Sequence, residues 1–125
     1  MAKITRFEDL QSWQKARQFT NAIYDLTGHL EFAKDFRLRD QIQSAAGSTM
    51  HNIAEGFDAG SDAEFIRFLK MARRSASEVQ SQLTWLWIGD ITEAERIRTD
   101  ELATEVIKTN QRSDQLPAYF QPLRT

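Results

Sequence analysis

Ser61-Asp-Ala-Glu-Phe65-Ile-Arg-Phe-Leu-Lys70-Met-Ala-Arg-Arg-Ser75-Ala-Ser-Glu-Val-Gln80-Ser-Gln-Leu-Thr-Trp85-Leu-Trp-Ile-Gly89 is the stretch that decides the fold. Phe65, Phe68, Leu69, Ala72, Ala76, Val79, Leu83 and Leu86 recur in it at three- and four-residue steps, which gathers them on one side of an α-helix. Ser61 followed by Glu64 has the spacing of a capping box, and Gly89 closes the beat. The spacing predicts a helix of about 28 residues, roughly 42 Å long. On a wheel of about 100° per residue, Ile66, Met71, Trp85 and Ile88 fall outside the core sector. Large apolar side chains on a wet face are unusual for a solitary soluble domain, so these four form a candidate oligomer interface. Cover by the tail or by a loop is the competing explanation.

Similar patterns extend on both sides. Thr92 and Glu95 repeat the capping spacing and open a helix over about 92–113, whose buried stripe is read as Ile97, Leu102, Val106 and Leu116. Upstream, Leu38, Ile42, Ala45, Thr49 and Ile53 carry a helix over about 35–57. Its middle, Ser44-Ala-Ala-Gly47-Ser48, is small enough to permit a close helix approach, at about 1 kcal/mol of helix propensity for Gly47. Leu10, Trp13, Ala16, Phe19, Ile23 and Leu26 carry a helix over about 7–28. The two prolines, Pro117 and Pro122, lie beyond all four segments. Four amphipathic helices with short connections imply an all-α fold, an antiparallel up-down-up-down four-helix bundle formed by a single domain over 1–116, followed by a tail over 117–125.

Composition narrows the chemistry. The 125 residues contain no cysteine, which excludes disulfides, thiol catalysis and Cys-based zinc sites. No apolar run approaches the roughly 20 residues of a membrane span, and the first nine residues lack the core of a signal peptide, so a soluble cytoplasmic protein is expected. His51 and Glu55 stand one helical turn apart, too few ligands for a metal; no glycine-rich phosphate loop or nucleophile motif occurs. No catalytic residue, metal or cofactor is implied, and a non-enzymatic role is expected. Asn52-Ile-Ala-Glu-Gly56 is the most suggestive polar segment. Gly56 supplies a left-handed helix stop there, and Asn52, Glu55, Ser75 and Glu78 are candidates for a structural polar network, with Arg73 or Arg74 as partner for Glu55.

The formal net charge is −2, so any nucleic-acid role must come from a local patch. Phe65 to Gly89 holds four cations, Arg67, Lys70, Arg73 and Arg74, against the single carboxylate Glu78. These four are candidate phosphate contacts, with Lys15 and Arg17 as outlying members. Asp90 to Asp114 carries seven acids and four bases, so pairing of the cations with an acidic fourth helix is the alternative use of the same charge.

Phe7-Glu-Asp-Leu-Gln-Ser-Trp-Gln-Lys-Ala16, Leu38-x-x-Gln41-Ile42-x-x-Ala45-Ala46-x-Ser48, Asn52-Ile-Ala-Glu-Gly56 and Phe65-x-x-Phe68-Leu69-x-x-Ala72-Arg73-x-Ser75-x-x-Glu78 together resemble the four-helix-bundle proteins encoded in 23S rRNA intervening sequences. The accessory proteins of diversity-generating retroelements are similar and belong to the same group. The resemblance implies a small bacterial bundle that assembles as a homopentamer, with a link to RNA or to a nucleic-acid-bound partner protein and no known enzymatic activity. Arg74 stands where that family usually has glycine. A protein-interaction scaffold without nucleic acid is the alternative function.

Overall fold

The computed structural model describes residues 4–28, 36–86 and 91–111, with only the backbone given for Trp85, Leu86 and Gln111. After a 3-10 turn at Phe7–Asp9 come four helices: α1 (Gln11–Thr27), α2 (Phe36–Phe57), α3 (Asp62–Leu86) and α4 (Glu93–Gln111). Each packs on its neighbours in sequence, and α4 closes on α1, while among the described residues the backbones of α1 and α3, like those of α2 and α4, do not approach each other and stand at diagonal corners. That is a square of four helices, and hydrogen bonds fix the register of neighbouring pairs. Thr20 Oγ1 donates to the Ala46 carbonyl at 3.0 Å, and Gln43 Nε2 donates to Thr27 Oγ1 at 2.8 Å, so α1 and α2 run antiparallel. Gln80 Nε2 reaches both Asp100 Oδ1 and Thr104 Oγ1 at 3.2 Å, tying α3 to α4.

The core follows the expected stripes on α1, α2 and α3, with Phe19, Ile23, Ile42, Ile53, Phe65, Leu69, Val79 and Leu83 among its buried side chains. Three departures have physical causes. The first helix begins at Gln11 rather than near 7, because Leu10 is extended (φ −72, ψ 129) and fully buried, which folds the preceding turn back from the helix axis. Gly56 is not a left-handed stop: α2 continues to Phe57, and the one described positive φ belongs to Gly60 at 94°. On α4, Ile97 is exposed, and the buried line runs through Thr99, Ala103, Val106 and Asn110. Thr99 is accommodated by donating its hydroxyl to the Glu95 carbonyl at 2.8 Å, and Asn110 Nδ2 donates to the Val106 carbonyl at 3.0 Å. Leu116 and the 117–125 tail lie outside the described residues.

The two capping signatures fare differently. Thr92 and Glu95 bond reciprocally, Thr92 N–H to Glu95 Oε1 at 2.9 Å and Glu95 N–H to Thr92 Oγ1 at 3.1 Å. At α3 only the first half forms, Glu64 N–H to Ser61 Oγ at 3.2 Å, because the Glu64 carboxylate turns to Arg67 instead.

Candidate nucleic-acid interface

α3 buries Phe65, Leu69, Ala72, Ala76, Val79 and Leu83, so the opposite side of the rod faces away from both neighbouring helices. On that side the wheel groups Arg67, Lys70 and Arg74, all exposed, within about 60° of one another. Arg73 follows about 100° away from Arg74 and is half-buried. Three cations therefore share this face with Glu64, bonded to Arg67, and with exposed Glu78 one turn past Arg74, while the fourth cation is turned towards the bundle.

Arg67 is the most constrained of the three. Its guanidinium bonds Glu64 Oε2 at 2.9 Å, lies 4.7 Å from the Phe68 ring centroid and approaches Met71 Sδ at 3.8 Å. The hydrogen bond from Arg67 and its positive charge hold the Glu64 carboxyl below the usual glutamate range. A carboxyl whose midpoint is depressed in the folded state contributes stability above its ordinary pKa and loses it as pH falls through the lower folded midpoint. In an NMR titration, Glu64 should therefore titrate below an unpaired glutamate, and Arg67→Met should return it to the ordinary value.

The outlying cations do not join this line. Lys15 pairs with Glu105 of α4 at 3.5 Å, and Arg17 lies 5.9 Å from the Trp13 ring centroid. Both belong to α1, which stands at the corner diagonal to α3, so they open onto other sides of the molecule. Of the proposed interface residues, Ile66 is half-buried and Met71 is 36% exposed on the cationic side. The Trp85 side chain and Ile88 lie outside the described residues.

Between α2 and α3 the polar residues gather around a side chain the sequence did not single out. Ser48 Oγ accepts from Asn52 Nδ2 at 2.9 Å and from Ser75 Oγ at 3.0 Å. Ser48 and Ser75 line an open groove of about 560 Å³ with Asp40, Gln41, Ser44 and Glu78. Glu55 is exposed, and among the described residues no ion pair joins it to Arg73 or Arg74. The four-residue spacing of Ser48 and Asn52 was visible in the sequence; the link to Ser75 needs the inter-helix register. His51 is exposed, and among the described residues no group of three His, Cys, Asp or Glu side chains is placed to hold a metal. None of the described helices is long and apolar enough to cross a membrane.

Comparison with curated proteins gives no match. A family model described as 23S rRNA-intervening sequence protein matches residues 8–112, a span that takes in all four helices from the 3-10 turn at Phe7–Asp9 to the end of α4. With the match covering most of the chain, and a four-helix fold over the matched span, the chain belongs to the 23S rRNA-intervening sequence protein family.

Proposed function

We propose that this protein is a non-enzymatic, homo-oligomeric bundle, a ring of five by family resemblance, that binds RNA or an RNA-associated partner through the outer face of α3. The observation that carries the nucleic-acid reading is the line of Arg67, Lys70 and Arg74 on a side of α3 that no other described helix covers. Three cations spread over about two helical turns suit a phosphate backbone, whose charge is regular and carries no sequence information. Binding is accordingly expected to be insensitive to base sequence and sensitive to salt.

Fluorescence anisotropy with a short labelled single-stranded RNA tests this. Three phosphate contacts correspond to a log–log salt slope of about −2, a roughly 20-fold loss of affinity between about 50 and 200 mM salt. Arg74→Glu should weaken binding about tenfold and flatten that slope. Unchanged affinity after reversal of both Lys70 and Arg74 would remove this face from the proposal. The scaffold alternative uses the same cations against exposed Glu93 and Glu101 of a neighbour. In that case the reversals would disperse the oligomer, and RNA would not bind even to the unaltered protein.

A further inference from the structure

Gly47 lies in the middle of α2, and among the described residues nothing beyond its own helical turns comes within 4 Å of the place a Cβ would occupy. Glycine there is a poorer helix former than alanine, with no contact to another described helix to offset it. Gln43 reaches Thr27 across the α1–α2 boundary, and Gly47 follows one turn further along α2 on the outer shoulder of that boundary. By the register that sets Thr20 against Ala46, Gly47 faces the middle of α1, where Arg17 and Tyr24 stand about one turn to either side. Half-buried Met50 and Ala54 continue the line below Gly47, and Phe36 ends it above. Tyr24 is 51% exposed and Phe36 64%, so aromatic surface is exposed along this seam beside a position that carries no side chain.

α4 carries an exposed apolar side chain flanked by carboxylates. Ile97 is 43% exposed, on the opposite side of the helix from buried Thr99, Ala103 and Val106. Glu93 and Glu101, both exposed, flank it one turn away on either side. The described charges on the seam are Arg17, Arg39 and Asp40, and Asp40 is already bonded to Arg39, which leaves the seam cationic. Since α2 and α4 occupy opposite corners of the square, one subunit can present its seam and its α4 face at the same time.

We infer that the α1–α2 seam receives α4 of a second copy, with Ile97 packing over Gly47 and Arg17 meeting Glu93 or Glu101. The inference rests on the self-association in the proposed function and names the two faces that make it. The contact is heterologous, so every subunit both gives and receives, and the assembly closes as a ring or extends as a filament. It also leaves the cations of α3 uncovered, which is what phosphate binding requires.

The test is light scattering on the full chain and two variants. Gly47→Glu introduces a better helix former where Ile97 would pack and places a carboxylate opposite the acidic face; Ile97→Glu removes the apolar side chain that would cover Gly47. Each variant alone should be monomeric with unchanged helical circular dichroism, while the unaltered protein is a larger species. Mixed, the two should recombine as one-to-one heterodimers, because the Gly47 variant keeps an intact α4 and the Ile97 variant an intact seam. Arg17→Glu, on an exposed side chain, should weaken assembly at least tenfold. A monomeric unaltered protein, a Gly47 variant that assembles as before, or a mixture that stays monomeric would each overturn the inference. Binding of the short RNA per subunit should be the same in all these variants, so failure here is separable from failure of the phosphate reading.

Discussion

Replacing Phe65 by alanine is expected to lower the unfolding free energy by about 3–5 kcal/mol, the largest effect of any single side chain considered for this fold. Phe65 is fully buried in the first turns of α3, where its ring meets that of Phe57 edge to face, 6.2 Å between centroids at 89°. Phe57 ends α2, so this one ring pair holds the α2–α3 turn against the core. Truncation removes the transfer energy of the ring and leaves a cavity between two helices already fixed by their remaining contacts, so collapse recovers little of it. A small domain holds about 5–15 kcal/mol in total, so a loss of this size removes a large share of it and should lower the urea midpoint by about 2 M or more. Equilibrium unfolding followed by circular dichroism at fixed protein concentration measures it, since assembly would otherwise contribute. A loss below about 1 kcal/mol would mean that the α2–α3 end is not organised around this ring.

The stripe that contains Phe65 was legible because its members are unambiguously apolar at helical spacing, and α2 was legible for the same reason despite its small middle. α4 was harder. Its inward line contains Thr99 and Asn110, which sequence patterning counts as polar, yet each donates to its own helix four residues back, which satisfies the Thr99 hydroxyl and the Asn110 amide nitrogen although Asn110 Oδ1 is buried without a partner among the described residues. Ile97 was assigned to the core on apolarity alone and lies instead on the surface. At the phosphate face, the i, i+3 pairing of Glu64 with Arg67 lay within reach of sequence reasoning, since these positions are neighbours on any helix. The separation of Lys15 and Arg17 from that face was not, because it depends on which corners of the square α1 and α3 occupy. The Ser48–Ser75 bond depends on register in the same way. Periodicity reports which side of a helix is buried; it does not report which helices meet or how far one has slid along another.

Alanine at the two glycines of α2 should move stability in opposite directions, and Gly56→Ala is the damaging one. A Cβ at Gly56 would stand 2.6 Å from the Cβ of Phe68 and 3.0 Å from Cδ1 of Phe65. The first of these atoms is fixed to the α3 backbone and cannot swing aside, so the helices themselves must separate there. Overpacking of this kind costs about 1–3 kcal/mol against the roughly 1 kcal/mol that alanine gains in helix propensity, and a contact with an immobile Cβ belongs to the upper part of that range, so a net loss of up to about 2 kcal/mol is expected. Gly47→Ala is the control on the same helix: its Cβ enters open space, so in the dilute, unassembled subunit only the propensity term remains and stability should rise by about 0.5–1 kcal/mol. Paired urea unfolding of the two variants reads the difference in sign directly. Two gains of equal size would show that α2 and α3 do not approach closely at Gly56, and two losses would show that Gly47 is packed within its own subunit. Opposite signs separate a glycine demanded by the subunit's own packing from one whose missing side chain serves a surface beyond it.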